Sequence, residues 1–72
     1  MTLIEQLAMY EAEWVPVRED RIEAKCANNK FAIEDRGPTA HDHRFVVFMN
    51  DTLHSDYEAL PAGIPAITAR AA

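Results

Sequence analysis

His41 and His43, two positions apart around Asp42, form the densest grouping of metal-ligating atoms in the chain. Neutral imidazole and thiolate suit zinc, and His54, Asp51 or Cys26 would have to complete the ligand set. Structural zinc sites in small domains bring paired Cys or His from both ends, whereas this chain has one cysteine. A small metal-binding module using His41, His43 and His54 is therefore the alternative reading, and a solvated loop carrying these histidines is the preferred one.

The other chemistry-bearing residues fall short of a catalytic set. Cys26 sits at an inward position of an alternating stretch, where a thiol is inert. Glu34 and Asp35, like Glu19 and Asp20, are adjacent carboxylates without the apolar pocket that would separate their acid and base roles. Pockets of that kind belong to larger domains than one of 72 residues. The only glycines are Gly37 and Gly63, so there is no glycine-rich phosphate loop. Phe45 and Phe48 beside Arg44 are residue types that stack on single-stranded bases, but a net charge of -5 opposes binding to phosphates. The reading is of a protein without catalytic residues, cofactor or resident metal.

The element that must position everything else is Arg44–Asn50. Its five consecutive apolar residues, rich in β-branched and aromatic types, suit a strand. Alternation puts Phe45, Val47 and Met49 on one face and Val46 and Phe48 on the other. A strand apolar on both faces needs cover on both, and so short a chain has little to supply it. The first three residues are assigned to the core. Val46 and Phe48 then share an outer face with Glu23, Lys25, Lys30 and Glu34, where a second helix covers them or they stay available.

Thr2 and Glu5 have capping-box spacing, and Leu3, Leu7, Tyr10 and Trp14 recur on one helical stripe. Pro16 predicts the end of this helix near Glu13 to Val15. Residues 21–35 read as a hairpin with Asn28-Asn29 at its turn, in competition with a helix over Arg18 to Ala27. Residues 36–43 form a surface loop. After the central strand, Asn50, Asp51 or Thr52 caps a short helix carrying Leu53, Tyr57 and Leu60, stopped by Pro61. The predicted fold is a single α+β domain over residues 1–66, with an N-terminal amphipathic helix on a three-stranded antiparallel sheet, a short second helix, and a flexible tail over 67–72. Its core consists of Leu3, Ile4, Leu7, Tyr10, Trp14, Ile22, Ala24, Cys26, Phe31, Ile33 and the inner face of the central strand.

Composition agrees with a folded chain: 49% of residues are hydrophobic and 26% charged. The charge is uneven, since residues 1–20 hold five carboxylates against Arg18 alone. An acidic N-terminal element suits either a solvated helix face or a basic partner. One cysteine cannot make an internal disulfide, and no run is apolar enough to span a membrane, which together predict a cytoplasmic protein.

A small domain with a two-faced apolar strand points to a protein-interaction module, with Arg44, Val46 and Phe48 as the partner-binding residues. In length, acidity and the general run of its sequence, the chain resembles the small proteins with which bacteriophages seize host machinery, among them RNA-polymerase-binding transcription regulators. That resemblance implies binding to the large subunits of bacterial RNA polymerase and control of initiation and termination. It carries no single diagnostic motif and assigns no residue. A homodimer burying the strand against its own copy is the remaining alternative.

Overall fold

The computed structural model describes residues 2–10, 12–40 and 43–67. One helix, α1 (Leu3–Tyr10), precedes five strands: β1 (Val15–Arg18), β2 (Arg21–Cys26), β3 (Asn29–Asp35), β4 (Phe45–Met49) and β5 (Thr52–Tyr57). They form one antiparallel sheet in the order β1-β2-β3-β4-β5, a meander in which every strand pairs with its neighbour in sequence. The expected three-stranded sheet with a second helix is corrected in both respects.

The predicted capping box opens α1. The Thr2 N–H donates to Glu5 Oε1 at 2.9 Å, and the Glu5 N–H donates to Thr2 Oγ1 at 3.3 Å. The helix spans Leu3–Tyr10, short of the expected end near Glu13 to Val15, because Val15 is taken by strand pairing opposite Glu23. Eight residues do not sustain a helix in water by propensity, so packing decides its length. Ile4 and Leu7 are buried; Tyr10, expected in the core, is 63% exposed.

The hairpin of β2 and β3 exists, but its turn lies one residue earlier than expected. Ala27 (φ 53°) and Asn28 (φ 70°) are the turn residues, both in the left-handed region that a two-residue hairpin demands. Cys26 pairs with Asn29, Ala24 with Phe31 and Ile22 with Ile33. This shift preserves the parity of the strands, so the apolar residues stay on the face foreseen.

The expected second helix is β5. Asn50 (φ 52°) and Asp51 (φ 68°) make a second turn of the same kind, which returns the chain as a strand against β4. The two turns lie side by side. The Asn50 N–H donates to the Lys30 carbonyl at 2.7 Å, Asn50 Oδ1 accepts from the Lys30 N–H at 2.9 Å, and Asn50 Nδ2 donates to Asn29 Oδ1 at 3.0 Å.

The core fills one side of the sheet. Ile22, Phe31, Ile33 and Val47 meet Ile4 and Leu7 from α1 and Ile64 and Ile67 from the chain after β5, with Trp14, Phe45 and Tyr57 at its margin. The flexible tail was expected from residue 67, yet Ile67 is 8% exposed within this cluster; residues 68–72 lie outside the described residues. No helix among the described residues is long and apolar enough to cross a membrane.

Candidate protein-interaction face

The side of the sheet away from α1 is built by cross-strand register. Glu23 faces Val15 on β1 and Ala32 on β3; Ala32 in turn faces Phe48, and Phe48 faces Leu53 on β5. One row over, Arg21 faces Glu34, Glu34 faces Val46 and Val46 faces Asp56. Phe48 and Val46 thus lie where alternation put them. Their exposure differs from the simple expectation of a free apolar patch.

Val46 is 1% exposed although it lies outside the main core cluster. Of its cross-strand neighbours, Glu34 carries ion pairs and Asp56 faces a histidine. Glu34 Oε2 accepts from Arg18 Nη2 at 2.8 Å and from Arg21 Nη1, while Asp56 Oδ1 lies 3.0 Å from His43 Nδ1. The stems of such side chains cover apolar surface while their heads stay wet. Arg21 also bonds Glu23 at 2.9 Å and stands 5.3 Å from the centre of the Phe48 ring. Burial of Arg21 works against its charge, but the carboxylates of Glu34 and Glu23 outweigh this and raise its pKa. Here a salt network, not a second helix, covers the outer half of the central strand.

Arg44 is directed elsewhere. It grips Asp35 through both carboxylate oxygens, Nε to Oδ1 at 2.9 Å and Nη2 to Oδ2 at 3.1 Å, and lies 5.0 Å from the centre of the Phe45 ring. The hydrogen bond to Asp35 raises its pKa. Asp35 Oδ1 also accepts from the Gly37 N–H at 2.8 Å, and the Arg36 N–H donates to the Arg44 carbonyl at 2.7 Å. Arg44 therefore clamps the base of the 36–44 loop and is not brought together with Val46 and Phe48. Phe45 and Phe48 face opposite sides of the sheet, each beneath a guanidinium, so they form no joint platform for bases.

The remaining ligand candidates have other partners or lie outside the described residues. His43 is engaged with Asp56 and His54 Nδ1 lies 3.0 Å from Ser55 Oγ; His41 lies outside the described residues. Among the described residues no group of three His, Cys, Asp or Glu side chains could hold a metal ion.

The site that sequence reasoning missed is β1. Val15 and Val17 are 52% and 46% exposed on this edge strand. With Glu13, Glu23, Ala24, Lys25 and Lys30 they line an open groove of about 400 Å³. The available signal was the alternation Val15-Pro16-Val17-Arg18, and Pro16 obscured it, since proline is confined to edge strands and usually demotes a strand assignment. A second cleft, of about 260 Å³, lies across β1 between Trp14, Ile22 and Pro65 to Ile67. The Trp14 indole N–H is buried beside it without a hydrogen-bond partner among the described residues.

No family model matches this chain, and no curated protein or solved structure shows significant similarity to it.

Proposed function

We propose that this chain is a non-enzymatic regulator that binds a large cytoplasmic protein complex. The observation that carries this reading is the exposed valine pair on edge strand β1, where Val15 and Val17 line an open groove. Edge strands with exposed apolar side chains are natural sites for protein association. The partner comes from the resemblance to bacteriophage host-takeover proteins: bacterial RNA polymerase, engaged through its large subunits, with transcription as the regulated process. Val15 and Val17 take the contact role earlier given to Arg44, Val46 and Phe48.

The test uses the full chain immobilised and exposed to purified bacterial RNA polymerase, followed by promoter-dependent transcription in vitro. Retention of polymerase and a dose-dependent change in transcript yield are expected. Absence of binding at tens of micromolar polymerase overturns the assignment.

A further inference from the structure

We propose that the β1 groove receives an extended, apolar segment of a protein partner that carries an acidic side chain for Lys25. This deepens the protein-binding reading above and rests on it.

The charges of the groove select the occupant. Lys25 and Lys30 are directly opposite in the β2–β3 register, a like-charge pair that disfavours the sheet unless an anion relieves it. Lys30 has one, Asp51 Oδ1 at 3.2 Å. Of the basic residues on this side of the sheet, Arg18, Arg21 and Lys30 all make ion pairs, and Lys25 makes none among the described residues. A carboxylate arriving at Lys25 gains that cation and offsets the cross-strand repulsion. Val15 and Val17 supply the apolar contact beside it. Glu13 and Glu23 stand in the same groove and repel a continuous polyanion, so a discrete carboxylate within an apolar peptide fits where a nucleic-acid backbone does not. Pro16 lacks an N–H, which limits backbone pairing along the edge and leaves selection to side chains.

Two measurements on the full chain separate this inference from the choice of polymerase. In the first, the isotopically labelled protein is titrated with a ten-residue Val-rich peptide carrying a single central Asp and, separately, with the same peptide carrying Lys in its place. The acidic peptide is expected to shift backbone amides of residues 15–18 and 23–25, the basic one to leave them unmoved, and Lys25→Glu to abolish the response while its melting curve stays native-like. No shift at β1, an equal response to both peptides, or concentration-dependent self-association perturbing the same amides overturns the inference. In the second, polymerase affinity is compared across Lys25→Arg, Lys25→Glu and Val17→Asp. About tenfold weakening by the latter two, with retention by Lys25→Arg, is expected, with a flatter salt dependence for Lys25→Glu. Undiminished polymerase binding by both weakening variants overturns the groove while leaving polymerase as partner. A groove response to the acidic peptide without polymerase binding leaves the groove and removes polymerase.

Discussion

Ala27 holds a left-handed conformation at φ 53° in the β2–β3 turn, where an L-residue with a Cβ is strained by roughly 1–2 kcal/mol. Ala27→Gly should remove part of that strain and raise the melting temperature by several degrees, since ~1 kcal/mol corresponds to about 4–8 °C in a domain of this size. Asn29, the residue that sequence reasoning placed in the turn, behaves oppositely. It is a strand residue whose Oδ1 accepts from Asn50 Nδ2, so Asn29→Gly loses a hydrogen bond and should destabilise by about 0.5–1.5 kcal/mol. Melting curves of the two variants locate the turn. Stabilisation by Asn29→Gly together with destabilisation by Ala27→Gly would place it at Asn28-Asn29 and contradict the observed register.

At the scale of elements, the hydrophobic pattern revealed β2, β3 and β4 and their buried faces, because each has several alternating residues covered on one side. It revealed little of β1 or β5. β1 is four residues long, wholly exposed and interrupted by Pro16. Over β5 and the residues just after it, Leu53, Tyr57 and Leu60 are spaced like a helical stripe, yet the left-handed Asn50-Asp51 turn sends the chain back along β4 before a helix can form. Tertiary pairing overrode local periodicity there. The same competition explains the shortness of α1, which leans on its N-terminal cap. The Thr2 N–H, then the Thr2 hydroxyl, stabilises the Glu5 carboxylate and holds its pKa below its ordinary value. A carboxylate whose folded-state pKa is depressed stabilises above its unfolded value and loses that contribution as pH falls through the folded one. Amide exchange in Leu3–Tyr10 should therefore accelerate as pH drops below 4.5, after correction for the intrinsic pH dependence, and Glu5→Ala should flatten that response. An unchanged profile in Glu5→Ala would assign the acid sensitivity to another carboxylate.

For the whole molecule, the sheet is closed on its inner side by a segment with no regular structure. Ile64 and Ile67 are each 8% exposed, while Pro65 and Ala66 beside them are exposed. Gly63 lets this segment approach α1: at φ 101° it adopts a conformation that side chains resist, and a Cβ there would come within 3.1 Å of the Ala8 carbonyl oxygen. Such a segment was hard to read because its two isoleucines are separated by proline and alanine, with neither helical nor strand spacing across enough residues to form a pattern. Burial nevertheless makes it part of the fold. Replacing a buried isoleucine with alanine costs about 2–5 kcal/mol, a large share of the roughly 4–11 kcal/mol expected for a domain of this length. Ile64→Ala should thus lower the denaturant midpoint strongly and leave much of the population unfolded at 37 °C, and Ile67→Ala should act in the same direction, whereas Ala66→Ser should stay within about 0.5 kcal/mol of the parent. Lys25→Glu, at an exposed position across the sheet, should melt at or slightly above the parent, because it exchanges a like-charge pair with Lys30 for an opposite-charge one, while losing partner affinity. Chemical denaturation of these four variants beside the binding measurements separates the residues that hold the domain from those offered to a partner. A native-like midpoint for both isoleucine variants would remove the C-terminal segment from the core.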